Sequence, residues 1–234
     1  LRFCLSFLLL FFPCFLFFGN RYSADVPDRK DVALAVEAAA CAQLYRTMQL
    51  EGIVGWDAFR QAVTGYHKIA GRNRDVLTLI DFSRPSTEKR LFVFDMKQHR
   101  LLFSSVVSHG KNSGGVYATS FSNEYGSYKS SLGFYLTETT YQGKNGYSLI
   151  LNGLERGIND RARERAIVMH GAAYADPSVV GKGGRLGRSF GCPAVPQKLT
   201  RPIIDAIKGG SVMYIYAETP DYLAHSSVLS GYQA

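Results

Sequence analysis

The feature that most constrains the fold of this chain is a series of short apolar segments, from residue 76 onward, separated by glycine-containing turns. Residues 76–82 follow the period of a β-strand, and residues 91–95 and 101–103 flank a polar turn, as the arms of a hairpin do. Further strands are predicted at residues 134–139, 147–152, 166–169 and 212–217. We therefore predict a mainly β fold, a β-sandwich or a partly closed barrel.

Helical patterns lie mainly before this series. Residues 28–45 and 56–69 place apolar side chains at helical spacing, which predicts two helices in a small amino-terminal accessory segment, residues 25–72. Two more helices are predicted at residues 155–165 and 200–208, the second with Pro202 in its first turn. With 234 residues and 46% hydrophobic content, the chain is long enough for one good core. We place this main domain at residues 75–217 and a tail at residues 218–234.

The amino terminus has the composition of an export signal. After Arg2, residues 3–18 are almost entirely apolar, which is shorter than the roughly 20 residues of a membrane-spanning helix and typical of a signal-peptide core. Residues 1–24 are therefore predicted to be a signal peptide. An uncleaved membrane anchor is the alternative, because Tyr22 fits poorly before a cut after Ala24. Either reading places the mature protein in the periplasm or the cell envelope.

Cysteine content and charge narrow the classes of partner. Removal of residues 1–24 leaves Cys41 and Cys192, which in an oxidising compartment can form a disulfide. The alternative is that Cys41, in an alanine-rich helical pattern, packs as a small apolar residue. The net charge of +8 is scattered along the chain. Because no basic run interleaves with stacking aromatics, we expect no nucleic-acid partner.

A histidine and a cysteine are joined across a glycine-rich loop, as His170-Gly171 and then Ser189-Phe190-Gly191-Cys192-Pro193-Ala194. A free thiol has a pKa of roughly 8.5, so a neighbouring imidazole is needed to make it an effective nucleophile at neutral pH. Gly171 and Gly191 lack a Cβ and allow a substrate backbone to approach closely. Pro193 has no N–H, so a backbone donor for an oxyanion must come from Gly191, Cys192 or a more distant residue. The pattern predicts acyl transfer through a thioester.

The order His-Gly, a loop with several glycines and then Ser-x-Gly-Cys resembles the catalytic signature of the L,D-transpeptidases, bacterial cysteine enzymes that cross-link peptidoglycan. Residues 126–135 also resemble a run that one subgroup has before a core strand, and the resemblance covers about residues 75–217. In the commonest form of the family a histidine and an arginine occupy the positions of Phe190 and Ala194. The chain is therefore similar to a divergent subgroup.

The resemblance implies that residues 75–217 are a catalytic domain acting on peptidoglycan stem peptides. Cys192 would form a thioester with the stem and His170 would act as general base, with transfer to an amine acceptor. No cofactor is implied. The predicted substrate-binding residues are Ser189, Gly191, Gly171, Phe190, Arg188 and Tyr174.

Other functions stay open at this point. An L,D-carboxypeptidase would use the same thioester with water as acceptor, and a wall-binding protein would keep the cleft without the chemistry. A zinc peptidoglycan peptidase would use His170, Asp176 and His225, although this spacing fits that class imperfectly. His109, at the end of another strand, is expected to be a structural histidine or to line the cleft.

Overall fold

A computed structural model of the protein describes residues 28–232, so the predicted signal or anchor at residues 1–24 lies outside the described residues. Its α-helices are α1 (Arg29–Thr47), α2 (Trp56–Lys68), α3 (Val180–Gly183), α4 (Gln197–Ile207) and α5 (Pro220–His225). Two short 3-10 helices, Ala173–Ala175 and Pro177–Val179, precede α3. Between residues 28 and 232 no helix has both the length and the apolar character that crossing a membrane requires.

One mixed sheet forms the body of the protein. Its strands are β1 (Val76–Asp81), β2 (Leu91–Asp95), β3 (Arg100–Ser105), β4 (Gly133–Gly143), β5 (Gly146–Gly153), β6 (Val168–Gly171), β7 (Ala194–Val195) and β8 (Val212–Tyr216). They lie in the order β3-β2-β1-β8-β4-β5-β6-β7. The β1–β8 and β6–β7 pairs are parallel, and the others are antiparallel.

The two edges of this sheet approach each other. A bridge between Ser108, which follows β3, and Ala194 on β7 joins them, with the Ser108 N–H donating to the Ala194 carbonyl at 2.8 Å. The sheet is thus nearly closed into a barrel, and the predicted mainly β fold is confirmed. The residues predicted to meet in the cleft lie near this closure.

Helix α2 packs against the sheet through a glycine. A Cβ at Gly65 would lie 2.1 Å from the ring of Phe134 on β4, so only glycine allows this approach. Phe134 in turn stacks on Tyr214 of β8, with ring centroids 4.1 Å apart. One buried cluster runs from Cys41 on α1 through these side chains to Leu229. The amino-terminal helices therefore contribute to the same hydrophobic core as the sheet.

The helix predicted at residues 155–165 is wrong, because this segment is a series of turns. Side chains compete with the helical backbone bonds: the Glu155 carboxylate accepts from the Phe134 N–H at 2.7 Å, and the Asn159 amide oxygen accepts from the Glu155 N–H at 2.9 Å. Gly157 and Ala166 have φ of 78° and 54°, which no helix contains. Because Ala166 is left-handed, β6 begins at Val168, two residues later than the strand predicted at residues 166–169.

Helix α4 begins three residues earlier than predicted, at Gln197, so Pro202 lies in its interior rather than in its first turn. The proline removes one N–H from the helix, a cost that tertiary packing offsets. Ile203, Ile204 and Ile207 are fully buried against the sheet.

Candidate active site

His170 lies on β6, between β5 and β7. It pairs in register with Ser148 on β5 and Ala194 on β7, so neighbouring strands hold its backbone on both sides. Its Nδ1 lies 3.0 Å from the Gly171 carbonyl oxygen. Because a carbonyl only accepts, Nδ1 carries the proton and Nε2 keeps the lone pair that a general base needs. Burial lowers the pKa of His170, so the imidazole is neutral at neutral pH.

Residues 188–193, here called the Cys192 loop, are held in a tight turn by Ser189. The Ser189 hydroxyl accepts a hydrogen bond from the Gly191 N–H at 3.0 Å and donates one to the Cys192 carbonyl at 2.6 Å. Gly191 has a φ of 127°, and a Cβ there would lie 2.9 Å from the Lys129 carbonyl oxygen. Position 191 therefore requires glycine both for its dihedral angle and for this close approach.

The Cys192 thiol is free and half-buried, and it contacts the backbone just before His170. The Val168 N–H donates to Sγ at 3.5 Å, and the thiol in turn donates to the Ala166 carbonyl oxygen at 3.7 Å. Burial raises the pKa of Cys192, whereas the Val168 N–H lowers it. Among the described residues no hydrogen bond joins the thiol to the His170 imidazole. Proton transfer between them therefore needs either a closer approach of the two side chains or a bridging water, as is common in sites without substrate.

Arg165 supplies a positive charge beside the Cys192 loop. Its guanidinium donates to the Lys129 carbonyl at 2.6 Å and to the Ser122 carbonyl at 2.7 Å, and its Nη2 lies 3.5 Å from where a Gly191 Cβ would be. Its charge lowers the pKa of Cys192, a smaller effect than burial. In the sequence Arg165 is one of several arginines in a polar segment, and no local signal distinguishes it.

Ser130 also holds the Cys192 loop in place. Its hydroxyl donates to the Gly191 carbonyl at 3.0 Å and accepts from the Gly110 N–H at 3.0 Å. The Ser113 hydroxyl accepts from the Ser130 N–H at 2.9 Å. The resemblance of residues 126–135 to a family run was the sequence signal for this contact, although it assigned no role to Ser130.

A buried arginine and histidine support the other end of the loop. Arg90 donates to His109 Nδ1 at 2.8 Å, so the His109 proton lies on Nε2, which is 3.4 Å from the Gly114 carbonyl. Burial, and then the Arg90 charge, lower the pKa of His109 to about 4. The His109 carbonyl accepts from the Ser189 N–H at 2.9 Å. His109 is therefore a neutral structural histidine, the first of its two expected roles.

Gly171 and Tyr174, two of the predicted substrate-binding residues, follow His170 in the chain. A Cβ at Gly171 would lie 2.0 Å from Thr200 Oγ1, so this glycine allows α4 to pack against β6. Tyr174 is partly buried, and burial, with a smaller effect of the Cys192 charge, raises its pKa to about 12. Tyr174 therefore keeps its phenolic proton at neutral pH.

Phe190 and Arg188 are the remaining predicted substrate-binding residues: the first is exposed and the second is held by hydrogen bonds. Phe190 is 67% exposed. Arg188 Nη1 donates to the carbonyls of Lys111 and Gly114, at 2.9 Å each. The structure thus ties the Arg188 guanidinium to the neighbouring loop.

His170, Asp176 and His225, the residues of the alternative zinc site, do not form a cluster that could bind a metal ion. Asp176 Oδ1 accepts from the Ser178 N–H at 2.9 Å, and His225 lies on α5, where its Nδ1 is 2.8 Å from the Asp221 carbonyl. Within the described part of the chain no group of three His, Cys, Asp or Glu side chains is placed to hold a metal ion.

Comparison with curated proteins finds no match to this chain. Among solved structures, it is similar to an L,D-transpeptidase from Mycobacterium smegmatis, with 14% identity, 61% of this chain and 59% of that chain covered and a TM-score of 0.38. It is also similar to one from Mycobacterium tuberculosis, with 13% identity, 61% and 57% coverage and a TM-score of 0.38. An L,D-transpeptidase from Stackebrandtia nassauensis is similar with 14% identity, 79% of each chain covered and a TM-score of 0.36. The chain spans less than two thirds of the length of the mycobacterial proteins.

The sequence model of the L,D-transpeptidase catalytic domain matches residues 51–216. The match begins before α2 and ends with β8, so it includes the whole sheet, His170 and the Cys192 loop. It covers more than half of the chain, which therefore belongs to the L,D-transpeptidase catalytic domain family.

Proposed function

We propose that this protein is an exported peptidoglycan L,D-transpeptidase that forms a thioester on Cys192 with a stem peptide. The observation that supports this most directly is the pairing of β6 with β7. This pairing sets a neutral imidazole with a free Nε2 lone pair beside the loop that carries a half-buried thiol. A thiol and a neutral base are the two groups that acyl transfer through a thioester requires.

The reaction proceeds in two acyl transfers. The Cys192 sulfur attacks the carbonyl at the L-centre of the diamino acid that precedes the terminal D-amino acid, while His170 Nε2 takes the thiol proton. The imidazolium returns this proton to the leaving amine, the C–N bond breaks and the D-amino acid departs. An amine of a second stem then attacks the thioester, His170 removes its proton, and the thiol is restored.

The turn of the Cys192 loop narrows the choice of oxyanion donor. Ser189 Oγ already accepts from the Gly191 N–H, and Pro193 has no N–H. We assign the Cys192 N–H as the backbone donor to the developing oxyanion, with the turn presenting it on the side of its own thiol. Ser189 then shapes the turn rather than contacting the donor peptide.

Export is proposed from the sequence. The apolar residues 3–18 match a signal-peptide core, and peptidoglycan lies outside the cytoplasmic membrane. The alternative within this proposal is that residues 1–24 are not cleaved and attach the exported protein to the membrane.

The test is incubation of the purified protein with a stem tetrapeptide, followed by intact-mass measurement of the protein and of the peptide products. We expect a thioester adduct on the wild type and on Cys41→Ala, the matched control, and none on Cys192→Ala. A cross-linked product indicates transpeptidation, whereas tripeptide alone indicates the L,D-carboxypeptidase. An adduct that persists in Cys192→Ala would contradict the assignment of the nucleophile.

A further inference from the structure

Beside the Cys192 loop two aromatic side chains are exposed and in contact with each other. Tyr128 is 42% and Phe190 is 67% exposed, and their ring centroids are 4.9 Å apart at an angle of 48°. The ammonium of Lys111 lies 4.2 Å from the Tyr128 centroid and 4.7 Å from the Phe190 centroid. These three residues, here called the Lys111 cluster, hold a cation against two ring faces.

The Lys111 cluster is attached to the loop that carries Cys192. The Lys111 N–H donates to the Ser189 carbonyl at 2.8 Å, and Arg188 donates to the Lys111 carbonyl at 2.9 Å. Phe190 is itself part of the loop. The position of the cluster is therefore set relative to the thiol by backbone bonds and not by side-chain packing alone.

Tyr128 is held in a strained conformation. Its φ is 54°, in the left-handed region, where the Cβ of an L-residue crowds its own backbone. The Asn112 N–H, which donates to the Tyr128 carbonyl at 3.2 Å, helps to keep it there. Because the ring is exposed, its own burial does little to offset the strain. Strain that persists at an exposed aromatic beside a reactive group points to a binding role.

Lys111 and Arg188 are two cations at or beside the Cys192 loop, and their charges call for a partner. Among the described side chains no carboxylate lies within ion-pair distance of Lys111 or Arg188. Arg188 donates to backbone carbonyls, whereas the Lys111 ammonium contacts the two rings and, among residues 28–232, forms no hydrogen bond or ion pair. An anionic group of a ligand would complete this arrangement.

We propose that the Lys111 cluster binds the terminal carboxylate of the acyl donor, on the D-amino acid that the reaction expels. The inference rests on the proposed function. A terminal carboxylate lies one residue beyond the scissile carbonyl, within about 4 Å along the chain, so its recognition site must adjoin the nucleophile. The rings of Tyr128 and Phe190 cover the apolar part of that residue and exclude water from the ion pair. The cluster therefore selects donors that end at this residue and disfavours longer or amidated stems.

The experiment compares two donors, a stem tetrapeptide with a free terminal carboxylate and the same peptide with a terminal amide. We expect the wild type to acylate about ten- to a hundredfold faster with the carboxylate, as for other hydrogen bonds between charged groups. Lys111→Met should lose this preference by slowing the carboxylate donor alone, and Lys111→Arg should keep most of it. Lys144→Met, on the β4–β5 turn, is the matched control. The rate of Cys192 alkylation by iodoacetamide should be unchanged in Lys111→Met, which a displaced loop would not allow.

Three results would overturn the inference, and they distinguish its failure from the failure of the proposed function. Equal acylation by both donors in the wild type, or a preference that survives in Lys111→Met, overturns the carboxylate site and leaves the proposed function in place. Acylation by neither donor, with a thiol that iodoacetamide still alkylates, overturns the proposed function and the inference with it.

Discussion

At the scale of single residues, the reactivity of Cys192 depends on opposing influences. Burial raises the pKa of the thiol, while the Val168 N–H and the Arg165 charge lower it. The Val168 N–H belongs to the backbone of a strand and does not depend on residue type. Arg165 is therefore the side chain through which substitution changes the thiolate fraction most directly.

Replacement of Arg165 by methionine should raise the pKa of Cys192, because it removes the positive charge that favours the thiolate. We expect iodoacetamide alkylation of Cys192 at pH 7 to slow by about three- to tenfold, with a pH profile displaced to higher pH. Arg165→Lys should retain part of the effect.

Arg163→Met is the matched control for this prediction, since Arg163 pairs with Glu138 at the surface at 2.6 Å. An alkylation profile that is the same in Arg165→Met and the wild type, or an equal displacement in Arg163→Met, would rule out the electrostatic role.

At the scale of elements, the Cys192 loop is shaped by its own residues and by a second segment. Ser189, Gly191 and Cys192 make the turn, and they lie within three positions of one another in the sequence. Ser130 and the Lys129 carbonyl come from the segment before β4 and set how far the turn can move. The close approach at Gly191 is the point at which the two segments meet.

Gly191→Ala should therefore displace the loop, since its Cβ would collide with the Lys129 carbonyl in addition to straining φ. Gly184→Ala is the control, because Gly184 also has a positive φ, of 65°, but no atom lies within 4 Å of the added Cβ. We expect Gly184→Ala to lower the free energy of unfolding by about 1 kcal/mol. Gly191→Ala should lower it further and also slow alkylation of Cys192, measured by urea unfolding and by mass. Equal losses in the two variants would show that the collision is absent.

At the scale of the whole molecule, the free energy of unfolding depends on buried polar groups that lie where the two sheet edges meet. Arg90 is fully buried and donates to the Val107 carbonyl at 3.0 Å and to His109, next to the bridge that joins the sheet edges. Protonation of His109 would place two cations in contact there. The fold therefore requires this imidazole to be neutral.

Stability should consequently fall in acid through His109. Its pKa is about 4 in the folded protein against 6.5 when unperturbed, so between these pH values the unfolded chain binds a proton that the folded chain does not. The free energy of unfolding should decrease by about 3 kcal/mol from this group as the pH falls from about 7 to about 3, and level off below that.

Comparison of urea unfolding against pH in the wild type and His109→Asn isolates this contribution, because the asparagine retains an acceptor for Arg90 but does not titrate. The variant should show a shallower dependence on pH in this window. His99→Asn, an exposed histidine on the β2–β3 turn, is the control and should keep the slope of the wild type. Parallel curves for the wild type and His109→Asn would contradict the prediction.

What the sequence by itself determined is local. The strand periods predicted β1, β2, β3, β5 and β8 closely and the first half of β4, and the helical spacing predicted α1 and α2. The motif of residues 189–192 includes both groups that close its turn. Local spacing was insufficient at residues 155–165, where Glu155 and Asn159 bond to β4 and to the turn instead of leaving the backbone to form a helix.

Only the tertiary structure decided which distant residues surround the candidate site. Arg165, Ser130, Lys111 and the Arg90–His109 pair reach the Cys192 loop because the sheet curves until its edges meet. In the sequence alone, none of these residues is distinguished from other arginines, serines, lysines and histidines in polar or strand-end positions. Hydrogen bonds and charges act over a few ångströms of space rather than along the chain, so their partners became identifiable only once the barrel had brought them together.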